Sequence, residues 1–404
     1  MSSATVATPV ADKPTVHAVP RLETPPPYRE LTRSDGLPWI ELPSGHEAIN
    51  LTGYADVRAV LADSTSSRAE CNVEGGPSFM PTTWAPEVLI NLDQPVHARM
   101  RTFISQDFSV QGVARLGPIV ERVTAECLAA LRDGTAEPDL VRSVFEVVAP
   151  AVTGELLGVP AEKWAWMHTA GRIIQMADPT DIEGLATNWT ELYGYVQRLV
   201  RGEEPAEPGG LIDHYRRRAT EVEPRLTPTD LDGIVMGVVL GGDNNVATML
   251  AKTACVALSL PHIWTRLVQD RAAVPALIEE VLRLMPLGTP GTFPRLLTQD
   301  LTTSYGTIPA GTVVYPNVNQ ANRDPEVFPD PLSIDLDRDA KRHLQFGYGM
   351  HHCMGAAMTR LEMTLVLTKV IEEMPGLRLA CAVDEVPWDL GIGLRRPSSL
   401  PVTW

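Results

Sequence analysis

From Ile234 to Leu260 apolar side chains fall on nearly every face of a 3.6-residue period: Ile234, Val235, Met236, Val238, Val239, Leu240, Val246, Met249, Leu250, Cys255, Val256, Leu258 and Leu260, ending before Pro261. Ahead of them Thr227-Pro228-Thr229-Asp230 reads as a helix start, with Thr227 as N-cap, Pro228 at N1 and Asp230 reaching back from N3. The pattern predicts one helix over residues 228–260, about 50 Å long at 1.5 Å per residue, long enough to cross a whole domain and apolar enough to be buried in it. Its middle, Gly241-Gly242-Asp243-Asn244-Asn245, is five poor helix formers in a row. That is either a tolerated kink or the wall of a groove, and the cost of burying an acid and two amides favours a groove with something polar against it.

Elsewhere the chain reads mainly helical from Tyr54 to Tyr215 and again over 274–285. Short extended pieces follow at 301–303 and 312–315, separated by the turn signals Tyr305-Gly306 and Pro309-Ala310-Gly311. Residues 316–345 have no period and are rich in Pro, Asp, Asn and Arg, a long meander that some buried anchor must hold. The pattern therefore predicts a mainly α fold with small β-sheets. The first 27 residues carry six prolines and little periodicity, and are expected to form a flexible arm lying loosely on the surface; residues 28–404 are expected to form a single domain, since no linker or repeat divides them.

Composition narrows the partners. The 404 residues hold 34 Lys plus Arg against 50 Asp plus Glu, a formal charge of -16, which repels nucleic acid and anionic lipid. No run approaches the apolar length of a membrane span, and the N-terminus has no secretion-signal pattern, so a cytoplasmic protein that binds no membrane is expected. Five scattered cysteines make neither a disulfide framework nor a Cys-x-x-Cys metal pair. Cys71, Cys127, Cys255 and Cys381 read as small buried hydrophobes.

Cys353 stands in a different frame: Phe346-Gly347-Tyr348-Gly349-Met350-His351-His352-Cys353-Met354-Gly355. Alternating glycines permit a tight bend and close approach to a flat ligand. The amphipathic stretch after it, residues 354–373, puts the thiol at a helix N-terminus, where unpaired amides favour the thiolate that a metal requires.

In this form, Phe-Gly-x-Gly-x-His-x-Cys-x-Gly, the segment resembles the haem-ligand loop of the cytochrome P450 family. The resemblance extends in order and spacing through Glu280-Val281-Leu282-Arg283, Ile308-Pro309-Ala310-Gly311 and Ala321-Asn322-Arg323-Asp324-Pro325. It implies the cytochrome P450 fold, with the long central helix crossing over the haem, and haem b held with Cys353 as metal ligand inside a loop that includes Phe346, Gly347 and Gly355. His97 and Arg101, one helical turn apart, together with Arg295 and His351, match the family's propionate partners, and charge-assisted hydrogen bonds are what two buried carboxylates need. Glu280 and Arg283, joined by Arg338, match a structural salt-bridge triad that pins the meander. Thiolate-held iron activates dioxygen (O2), so the resemblance implies a monooxygenase fed from NAD(P)H through a ferredoxin reductase and a ferredoxin. Arg99, Lys341 and Arg342 are candidate docking cations, and a monomer is expected.

Where the family has Ala-Gly-x-(acid)-Thr-Thr, this chain has Leu240-Gly241-Gly242-Asp243-Asn244-Asn245. Aligned so, Asp243 keeps the acid and Asn244 replaces the threonine hydroxyl by an amide, a poor proton relay; both are the expected catalytic residues. By family position the pocket is lined by residues 66–84, Val246, residues 287–293 and residues 391–393. Their glycines and small polar groups suit a cyclic peptide, macrolide or polycyclic aromatic better than a lipid. The expected reaction is oxidation of a small-molecule natural product, including carbon–carbon or carbon–nitrogen coupling of an aromatic such as a Trp-containing cyclic dipeptide. The alternatives are hydroxylation or epoxidation of a macrolide-type metabolite, and a non-enzymatic haem sensor or carrier.

Overall fold

The central helix of the computed structural model, which describes residues 13–23, 25–134, 137–222 and 224–404, runs Pro228–Ser259. Thr227 Oγ1 accepts from the Asp230 amide at 3.1 Å, and the Asp230 carboxylate accepts from the Thr227 amide at 2.8 Å, so the predicted capping box closes. The helix is long and apolar enough to cross a membrane, but it is mostly buried inside the fold. Helices Glu146–Leu157, Ala161–Met176, Ile182–Arg201 and Ala356–Glu373 pack around it.

Helical structure continues through residues 241–245. A Cβ on Gly242 would lie 2.8 Å from Thr153 Oγ1, so the glycine lets helix Glu146–Leu157 approach closely. Asn244 donates to the carbonyl of His168 at 3.0 Å and to Asp243 at 2.6 Å, which satisfies its buried NH2 without unwinding the backbone.

A five-stranded sheet forms one edge of the molecule in the order Arg29–Glu30, Trp39–Glu41, Glu47–Leu51, Val313–Pro316, Arg295–Leu296. Only the central pair is parallel, with Ile49 opposite Val314; Arg295 also stands opposite Val314, on the other side, and is delivered to the interior at the sheet's edge. Strands Trp388–Leu390 and Arg395–Pro397 form a hairpin whose turn reaches the same interior.

The meander is anchored as the Glu280–Arg283 spacing implies. Arg283 makes two 2.8 Å hydrogen bonds to Glu280, with both side chains fully buried, and Arg338 adds a third at 3.0 Å. Arg283 also donates to the carbonyls of Asn322, Pro331 and Ser333, so one guanidinium ties three points of an aperiodic segment to one helix.

The loosely attached arm is corrected over residues 13–23. Val16, Val19 and Leu22 are buried in the main core, and the backbone pairs with the meander through Val16 N to Leu332 O at 2.9 Å and Ile334 N to Pro14 O at 2.8 Å. The physical reason is the three-residue spacing of those apolar side chains, which points them one way, together with ion pairs Lys13–Asp335 and Glu23–Arg323 at the two ends. The rest of the expected arm's first part, residues 1–12, lies outside the described residues.

Candidate active site

The cysteine loop is shaped by two left-handed glycines, Gly347 at φ 71° and Gly349 at φ 68°. A Cβ on Gly349 would fall 2.3 Å from the carbonyl oxygen of Leu61, so no other residue fits there. Cys353 N donates to Phe346 O at 2.7 Å, closing the loop just before helix Ala356–Glu373. The Cys353 side chain is exposed to a cavity of about 380 Å³. Burial pushes its pKa up on balance, against the opposing pull of the Gly355 and Ala356 amides and the Arg101 and Arg360 guanidiniums. Arg360 stacks 4.6 Å from the Phe346 ring and is held by Glu279, which also takes His343 at 3.1 Å.

The cavity gathers the four expected hydrogen-bond donors. His97, Arg101, Arg295 and His351 all line it, and the two imidazole rings lie 4.3 Å apart. His97 Nδ1, Arg295 Nη1 and His351 Nε2 are buried without a hydrogen-bond partner. Burial, with Arg101 and Arg295 nearby, pushes His97 down to about 4; burial, with Arg68 alongside, pushes Arg295 down to about 9. Such a set calls for an anion, and the two propionate carboxylates of a haem supply the right chemistry opposite a thiolate on the same cavity. These residues fit haem, and Cys353 would hold its iron.

Sequence reasoning missed Arg68. It is 4% exposed, donates to the carbonyl of Pro294 at 2.9 Å, stacks 4.7 Å from the Phe293 ring and leaves Nε unpartnered at the cavity wall. Its neighbours Ser66 and Ser67 gave no chemical signal, since a lone Arg in a loop is ordinarily solvated.

The structure sets the expected catalytic pair back from the cavity wall. Asp243 and Asn244 are buried but do not line the cavity; Gly241, Gly242, Asn245 and Val246 do. Helical arithmetic is the reason: at about 100° per residue from Gly241, Asn245, Gly242 and Val246 fall within an arc of about 140°, while residues 243 and 244 fall at about 200° and 300°, outside it. Asp243 instead faces helix Ala161–Met176, with Oδ2 3.5 Å from His168 Nδ1, and His168 Nε2 lies 3.9 Å from Glu146. Burial opposes a charge on His168, yet the Asp243 and Glu146 carboxylates overcome it and hold the imidazole up at about 9. Glu146 resists its own burial through His168 and Arg396 and is held at about 2. Behind them Glu362 is buried with neither carboxylate oxygen bonded, and burial together with Asp243 raises its pKa well above the ordinary value.

Of the expected wall segments, residues 66–84 contribute Arg68, Met80 and Trp84, residues 287–293 contribute all but Thr289, and residues 391–393 contribute Gly393. Gln175, from the end of helix Ala161–Met176, was not foreseen; it reads as an ordinary polar position at the end of an amphipathic pattern. Among the docking cations, Arg99 is engaged with Asp230 at 3.2 Å, whereas Lys341 and Arg342 are exposed.

A cysteine at a helix N-terminus, unpartnered basic side chains on the same cavity and the central helix along its wall fit a haem-thiolate oxidoreductase. The family model for cytochrome P450 matches residues 263–374. Nocardicin C N-oxygenase of Nocardia uniformis subsp. tsuyamanensis is 32% identical over 95% of this chain and 96% of its own length; biflaviolin synthase of Streptomyces coelicolor is 32% identical over 95% and 93%. The solved structure of a cytochrome P450 with biaryl coupling reactivity superposes with a TM-score of 0.83 at 26% identity, covering 89% of this chain and 91% of that one. The chain belongs to the cytochrome P450 family, whose members use haem iron, O2 and electrons from redox partners.

Proposed function

We propose that this enzyme tailors an aromatic natural product by oxidative carbon–carbon or carbon–nitrogen coupling, with a Trp-containing cyclic dipeptide as the substrate class. The observation that carries this reading is Asn245: the central helix turns an amide, rather than a hydroxyl or an acid, to the cavity. An amide holds hydrogen bonds but does not pass protons. Haem bound through Cys353 supplies oxygen activation with electrons from outside the chain.

The remaining wall suits a flat, amide-bearing guest. Trp84 and Phe293 meet edge to face with centroids 6.2 Å apart, Trp189 stacks on Trp84 from behind, and Gln175 and Thr292 add neutral polar groups. The biaryl coupling reactivity of the solved cytochrome P450 structure supports the same reading. Exposed Lys341 and Arg342, ahead of the cysteine loop, support docking of an acidic ferredoxin, itself reduced by a ferredoxin reductase.

Turnover of Trp-containing cyclic dipeptides under labelled dioxygen, read by mass spectrometry, tests the proposal. The expected product carries a new bond between two aromatic partners, has lost two hydrogens and contains no label. A product with one labelled oxygen and no new carbon–carbon or carbon–nitrogen bond replaces coupling with hydroxylation, the oxygen-inserting chemistry that the name of nocardicin C N-oxygenase also describes.

A further inference from the structure

Gln175 is 5% exposed and sits where helix Ala161–Met176 ends against the central helix. Its Nε2 donates twice, to the carbonyl of Leu240 and to Oδ1 of Asn245 at 3.2 Å. Its placement is rigid. The Met176 carbonyl accepts from Ile392 N at 2.9 Å, and a Cβ on Gly393 would lie 2.3 Å from the Gln175 carbonyl, so the C-terminal hairpin is packed onto this turn.

These contacts decide which way two amides face. The Leu240 carbonyl only accepts, so Gln175 must turn its NH2 toward it rather than its oxygen. With that NH2 also against Asn245, Asn245 must answer with its oxygen, because its own NH2 there would set donor against donor. Oδ1 of Asn245 is thereby occupied on the Gln175 side, and Nδ2 is the end left for the cavity. Gly241, one turn earlier on the same face, has no side chain to stand in front of it.

We propose that Gln175 is a positioning residue: it locks the Asn245 amide so that the central helix presents an N–H donor, and not a carbonyl acceptor, to whatever is bound over the haem. This goes beyond the coupling reading and does not depend on it, since it concerns the polarity of the cavity before any substrate enters. The ligands it favours are those with an oxygen acceptor at that point.

Carbon monoxide on the reduced haem is a substrate-free probe, because a donor near its oxygen lowers the C–O stretching frequency and an acceptor raises it. Gln175→Glu removes the donor that holds Asn245, so the amide turns its NH2 to the new carboxylate and its oxygen to the cavity. The C–O stretch is expected to shift up in this variant and in Asn245→Leu, with the double variant no further shifted than Asn245→Leu alone. Gln175→Met, which keeps the volume without either polar group, is expected to broaden the band as Asn245 samples both orientations; it decides the matter if the glutamate variant fails to load haem. A Gln175 variant with the wild-type band while Asn245→Leu shifts it shows that Asn245 is aimed by something else. No shift in Asn245→Leu shows that its amide does not face the ligand. Either result overturns the proposal, whatever products the enzyme makes.

Discussion

Cys353 differs from the other cysteines in its surroundings rather than in its chemistry. Burial drives Cys127 up to about 11 and Cys255 up to about 12, which leaves both as inert thiols, whereas Cys353 meets two backbone amides and two guanidiniums at the cavity floor. Cys353→Ser is expected to abolish the red-shifted absorption of the reduced carbon monoxide complex, and a variant that kept this band would name another ligand. Gly349 carries a comparable constraint in its backbone, at φ 68° with Leu61 O in the space a Cβ needs. Gly349→Ala is therefore expected to cut the yield of haem-loaded protein sharply, read as the ratio of haem to protein absorbance after purification.

Among the elements, the helix Val274–Leu284 does most to hold the meander, through two side chains one turn apart. Glu280→Ala leaves Arg283 and Arg338 without their carboxylate in a water-free interior, a loss of about 3–5 kcal/mol. The expected outcome is a large fall in denaturation midpoint and in haem content together. Unchanged values for both would remove Glu280 from the anchoring role. The cap of the central helix is worth less: Thr227→Ala loses one hydrogen bond to the Asp230 amide, about 1 kcal/mol, and should lower the midpoint while leaving the carbon monoxide spectrum intact.

Across the molecule, Glu146, His168 and Asp243 tie three helices together, and Arg396 joins them from the C-terminal hairpin. His168 is held at about 9 against an ordinary 6.5, so its contribution to stability is complete below about 6.5 and is lost as pH rises through 9. Glu146 runs the other way: held at about 2 against an ordinary 4.5, it contributes above about 4.5, and that part is lost as pH falls through 2. His168→Gln should therefore cost most near pH 6 and progressively less toward about pH 10. Urea unfolding of both proteins across that range checks it, and a difference that stays constant with pH would mean that the imidazole is not charged in the fold.

Much of this protein could be read along the chain because the relevant interactions are local. The central helix follows from a four-residue capping box and the apolar runs on either side of residues 241–245, and the Cys353 loop from glycines whose backbone freedom no other residue has. Glu280 with Arg283, and His97 with Arg101, share a helical face by spacing alone. What needed the folded molecule is everything set between distant segments. The packing of Val16, Val19 and Leu22 depends on a meander some 300 residues away, and the arrival of Arg68 beside Arg295 on a sheet and a loop that meet only in space. The polar cluster at 241–245 shows the division most plainly: its composition announced a functional wall, but which amide faces the cavity is a matter of helix rotation. That rotation is set by His168 and Gln175 on another helix, whose bonds to Asn244 and Asn245 no local pattern contains.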